Sequence, residues 1–125
     1  MLVRDRMSTP AVTIRSGADY KAALRAMESN SLHHLPVLDP DGQLVGMAAE
    51  RDLLIAAMHY LQSDVEVGEV MHRGVVTATP GMSLASAAKL MASERIGGLP
   101  VIDDTGALVG IITEIDILRA FAEFD

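Results

Sequence analysis

LPVLDPDGQLVG occupies Leu35–Gly46, and LPVIDDTGALVG occupies Leu99–Gly110. Each begins with a short run rich in apolar residues, passes through Asp-x-x-Gly and resumes as a second apolar run. Two strands joined by a tight turn have this pattern, because glycine accepts the positive φ and aspartate bonds the backbone of its own turn. The sequence therefore predicts a β-hairpin twice, with strands at Leu35–Leu38 and Leu99–Asp103 leading into the turns. The copies part company just downstream, where Met47–Asp52 read MAAERD and Ile111–Asp116 read IITEID.

Working outward, the likeness continues at a constant offset of 64 positions: Met7 falls on Met71, Val12-Thr13 on Val76-Thr77, Met27 on Met91, and Glu50 and Asp52 on Glu114 and Asp116. No gap is needed from Met7 to Ala120. Such a repeat implies units that do not bury their apolar faces singly. Each copy reads β-α-β-β-α. A short apolar piece comes first (Ala11–Ile14, Val75–Ala78). A helix follows, with Asp19 or Ser83 at its cap and Ala23, Leu24, Met27 or Leu84, Ala87, Ala88, Met91 at helical spacing. After the hairpin, a second helix is expected over Glu50–Leu61 and Glu114–Phe124. The predicted fold class is α+β, with two such units packed about a pseudo-two-fold axis. Residues 1–61 form the first unit and 69–125 the second, and the polar, acidic stretch 62–68 is read as the linker.

Composition limits the function. The chain has 125 residues, half of them apolar, with two Phe, two Tyr and no Trp, so its core is aliphatic with help from eight Met. It has no cysteine, which excludes disulfides, thiol catalysis and Cys-ligated metal sites. A formal charge of −7 argues against nucleic acid as a partner. No apolar run approaches the roughly 18 residues of a membrane span, and the first residues lack the apolar stretch of a signal peptide. A soluble cytoplasmic protein without membrane contact is expected. No nucleophile–base pair, acidic dyad or phosphate-cradling P-loop is present, so an enzyme is not expected. His33, His34, His59 and His72 are not spaced as a metal site.

The doubled pattern LPVxDxxGxLxG followed by T-x-x-D resembles the CBS domain, named after cystathionine β-synthase, over Met7–Ala120. The family occurs as tandem pairs, and its members typically bind AMP, ADP, ATP or S-adenosylmethionine in clefts between the copies and commonly dimerise. The resemblance implies a regulatory module sensing an adenosyl nucleotide, with no further cofactor. It implies a homodimer joined through the wide apolar faces of the last helix of each copy. It leaves the regulated partner unknown: either a separate chain is regulated or the protein acts as a free nucleotide-responsive unit.

The resemblance also assigns residues. Its T-x-x-D acid takes the ribose hydroxyls, a task suited to a carboxylate, which only accepts hydrogen bonds. Thr113 and Asp116 supply that pair complete, whereas in the first copy Asp52 is kept and Ala49 replaces the threonine. The family completes each site with the other copy's N-terminal segment and cations. The stronger site implied is Thr113 and Asp116 for ribose, Met7, Pro10, Ala11 and Val12 for adenine, and His33, His34 and Arg51 for phosphate. Two histidines and one arginine favour AMP or ADP over ATP. A second, weaker site gathers Ala49, Asp52, Val76 and Ile96, with Gly97 and Gly98 where cations would stand. The competing reading is a structural, dimerising scaffold of CBS units without a nucleotide. It gives no reason to gather Asp116, Thr113, His33, His34 and Arg51.

Overall fold

Both predicted hairpins form in the computed structural model, which describes residues 1–59 and 64–124. Asp39 Oδ1 accepts from the N–H groups of Asp41 and Gln43, both at 2.9 Å, and Gly42 takes φ +82°. Asp103 Oδ1 does the same for Thr105 at 2.9 Å and Ala107 at 3.0 Å, with Gly106 at φ +85°. The Thr105 hydroxyl, followed by these main-chain N–H groups, holds the Asp103 carboxyl below its ordinary range.

In chain order the elements are β1 (Ile14–Arg15), α1 (Tyr20–Asn30), β2 (His34–Leu38), β3 (Leu44–Ala49), α2 (Glu50–His59), α3 (Val67–Val70), α4 (Leu84–Glu94), β4 (Gly98–Ile102), β5 (Leu108–Thr113) and α5 (Glu114–Ala122). The expected caps are in place: Asp19 accepts from Lys21 N at 2.7 Å and Ser83 from Ser86 N at 3.0 Å. The mixed helix-and-strand class and the two repeated units stand as read. Details differ. The short first pieces are mostly unpaired: in the first copy pairing begins at Ile14, and in the second it shrinks to one parallel bridge, Ala78 with Val101. The helix expected over Glu114–Phe124 ends at Ala122. Of the helix expected to Leu61, the last two residues lie outside the described residues, as do Gln62 and Ser63 of the expected linker.

The rest of that linker is not a spacer. Val65 and Val67 are buried, at 7% and 0% exposure, and Val67 opens α3. The alternation of apolar and acidic residues in DVEV turns both valines inward and leaves the acids outside, and apolar burial outweighs the stretch's overall polarity.

By compactness the chain divides into a continuous unit, residues 12–75, and a split unit made of residues 1–11 and 76–125. Each has its own core. Tyr20, Ala23, Met27, Leu35, Val37 and Leu53 cluster in the continuous unit, together with Val65 and Val67. Ala87, Met91, Leu99, Val101 and Ile112 cluster in the split unit, together with Val3. Val3 and Val67 occupy matching repeat positions and are both fully buried. The start of each sequence copy therefore sits in the core built mainly by the other copy.

The sheets match in the same way. In the continuous unit the order is β1-β2-β3, with His72 bridged antiparallel to Met47 on the far side of β3. In the split unit Ala78 bridges β4, β4 pairs with β5, and Ser8 bridges Ile111 on the far side of β5. Every one of these pairings maps onto its counterpart under the offset of 64.

Candidate functional site

The end of β5 and the first turn of α5 carry the complete ribose motif. Thr113 is the N-cap of α5, and Asp116 Oδ2 accepts from Thr113 N at 2.8 Å and from Thr113 Oγ1 at 3.0 Å. This capping box satisfies one orphan donor of the helix start and fixes the carboxylate rotamer. Among the described residues Asp116 Oδ1 accepts no hydrogen bond, and the side chain is half-buried. Its charge also lies at the helix end that favours an anion.

The segment expected to wall a base runs beside this motif in the same unit. Ser8 exchanges main-chain hydrogen bonds with Ile111, at 2.9 and 3.1 Å, two residues before Thr113. Met7 packs on the split unit's core, Pro10 is exposed and Ala11 half-buried. Gly110 makes the approach feasible: a Cβ there would stand 2.6 Å from the Ser8 carbonyl oxygen and 3.1 Å from Met7 Sδ. At Gly46 a Cβ would collide with Met71 Sδ and stand 2.8 Å from the His72 carbonyl oxygen. In the sequence both glycines are repeat markers only, and no local signal points to the close approach that they allow.

A further tie holds the segment. The Arg6 guanidinium is ion-paired with Glu123, at the C-terminal end of α5. The hydrogen bond from Arg6 holds the Glu123 carboxyl below its ordinary value, and the same bond raises the guanidinium.

The remaining residues assigned to this site belong to the continuous unit. Val12 packs against that unit's core. His33 is exposed, its Nδ1 3.3 Å from Glu50 Oε1, so Glu50 is engaged there and not with Arg51. His34 opens β2, half-buried and paired in register with Ala49. Arg51 is exposed in the first turn of α2 and makes no hydrogen bond or ion pair among the described residues.

The second, weaker set divides as well. Ala49 ends β3 and Asp52 lies in the first turn of α2, in the continuous unit. Val76 and Ile96 pack on the core of the split unit. Asp52 is already engaged: its Oδ2 lies 2.8 Å from His72 Nε2. In the sequence His72 stands only as a histidine not spaced as a metal ligand. The signal that finds it is the repeat register, which sets His72 opposite Ser8.

The CBS domain family model matches the chain twice, at residues 3–59 and 67–123. A CBS domain-containing protein of Dictyostelium discoideum is 36% identical over 129 residues, covering 94% of this chain and 89% of the relative. L-aspartate semialdehyde sulfurtransferase of Methanocaldococcus jannaschii is 34% identical over 120 residues, and there the chain spans 23% of the relative's length. Among solved structures, the CBS domain pair of protein MJ0100, in complex with 5′-methylthioadenosine and S-adenosyl-L-methionine, superposes with a TM-score of 0.90 at 32% identity, covering 100% of this chain and 98% of that one. CBSX2 in complex with AMP superposes at 0.83 with 27% identity, covering 98% and 97%. Among the described residues no helix is long and apolar enough to cross a membrane.

Proposed function

This chain belongs to the CBS domain family, and from that premise we propose that it is a cytoplasmic regulatory module that binds an adenosyl nucleotide, AMP or ADP in preference to ATP, and performs no catalysis. The observation that carries the reading is the Thr113–Asp116 capping box. It orients a half-buried carboxylate, leaves Oδ1 open among the described residues, and shares its compact unit with the Met7–Ala11 segment. An oriented acceptor-only group is what a ribose diol needs, because two O–H donors find lone pairs without reorganisation. Met7, Pro10 and Ala11 serve the adenine, joined by Val12, and His33, His34 and Arg51 serve phosphate. The structures similar to this chain include pairs solved with AMP and with S-adenosyl-L-methionine, which supports the ligand class.

The test is calorimetric titration of wild type and Asp116→Ala with AMP, ADP, ATP and S-adenosylmethionine. Saturable binding at the stronger site is expected in the wild type and is lost in the variant, which keeps only the weaker site at Asp52. Equal binding in both rejects the site. For a phosphorylated ligand, His33→Ala and His34→Ala should each lower affinity while leaving adenosine affinity unchanged; equal effects on both ligands, or none, remove the two histidines from the phosphate site.

A dimerising scaffold is the second reading, favoured by exposed apolar side chains. Leu54, Ile55 and Met58 on α2 are 49%, 45% and 78% exposed, and Leu118 and Phe121 on α5 are 60% and 77% exposed. We assign these faces to a homodimer contact. A dimer that binds none of the four ligands would favour the scaffold.

A further inference from the structure

The two repeat acids are not equally free, and one register position accounts for the difference. His72 is held at the outer edge of β3 by a pair of main-chain hydrogen bonds with Met47, at 2.9 and 3.0 Å. Its imidazole Nε2 reaches Asp52 Oδ2 at 2.8 Å. Ser8, at the matching position, is held to Ile111 by the same pair of bonds, and among the described residues its side chain makes no hydrogen bond. Asp116 is bonded only by the main chain and hydroxyl of its own cap residue, Thr113, among the described residues.

We propose that His72 is a latch on Asp52, and that the choice of His72 or Ser8 at this register position sets which repeat acid is open to a ribose diol. This rests on the reading of the repeat acids as ribose acceptors and adds the residue that makes them unequal. Among the described residues each acid keeps its Oδ1 open, so the difference lies in what holds Oδ2: at Asp52 it is the imidazole of another segment, which a diol spanning both oxygens must move aside, and at Asp116 it is the cap residue's own N–H and hydroxyl, with no ring standing at the carboxylate. Ala49 deepens the contrast, since it offers Asp52 no hydroxyl to fix the carboxylate in place of the imidazole. Breaking a partly exposed, charge-assisted hydrogen bond corresponds to roughly a three- to tenfold penalty in affinity.

The probe is adenosine, which carries no phosphate and so reads the diol contact. In an Asp116→Ala background, adding His72→Ser should raise adenosine affinity about three- to tenfold, and 2′,3′-dideoxyadenosine should show no such gain. In the otherwise wild-type chain, Ser8→His should lower adenosine affinity by a similar factor while the Thr113–Asp116 cap stays intact. The contact itself is read by the His72 ring-nitrogen resonance, which Asp52→Asn should move. No gain with His72→Ser, no loss with Ser8→His, or an unmoved resonance each overturns the latch. Failure of the Asp116 site is seen separately, as a wild type that binds no adenosine while the His72→Ser variant still gains.

Discussion

The continuous and split units share one plan and differ at the acid. In the split unit the first turn of α5 is closed by Thr113 and Asp116, a local pair three residues apart. In the continuous unit the first turn of α2 has Ala49 at the cap position, and its acids face histidines far along the chain: Glu50 faces His33 and Asp52 faces His72. Two copies of one motif thus place a carboxylate alike and surround it differently. A T-x-x-D cap orients its acid with groups already beside it. Without the threonine, the acid takes whichever partner the tertiary structure brings.

The equivalence of the two cores is the strongest part of this comparison and the easiest to break. Val3→Ala and Val67→Ala should each cost about 2–3 kcal/mol, since each removes a fully buried side chain and leaves a cavity. Chemical denaturation checks this. A cost for Val67 well below that for Val3 would mean the exchanged segments are not equivalent.

Next in size are the close approaches. Gly110→Ala should destabilise by about 1–3 kcal/mol, because the new methyl meets a backbone carbonyl that has no rotamer to yield. Gly46→Ala should cost somewhat less, because its nearest neighbour is the flexible thioether of Met71 and its backbone contact is longer. Thermal melts of the two variants rank them. The reverse order would show that the segment at Met71 is the more rigid of the pair.

The smallest effect lies at the Arg6–Glu123 pair of the split unit. Glu123 has its carboxyl lowered by Arg6, so the stabilisation is present above the ordinary value of 4.5 and is lost as pH falls through the lowered folded value. Amide exchange at Val3 and Ser8 should quicken in that acid window, and Glu123→Gln should remove the part of the change due to this pair. An unchanged acid response in the variant would show that the pair does not hold the segment.

Some of this was legible in the amino-acid sequence because it is local. The Asp-x-x-Gly turns, the Asp19 and Ser83 caps, helices at 3.6-residue spacing and the Thr113–Asp116 cap involve groups within about four residues of each other, and residue type and spacing suffice to specify them. The fixed offset of 64 likewise announced two copies of one unit. Tertiary structure decided what crosses long separations. It put Val3 and Val67 into cores made mainly by the other copy, turned two repeat-marking glycines into contact points for the segments at Met7–Ser8 and Met71–His72, and set His72 on Asp52. No local preference encodes these choices, since a valine, a glycine or a histidine satisfies its own neighbourhood equally well in many settings. Only the requirement to bury apolar surface and pair backbone across the whole chain selects among them.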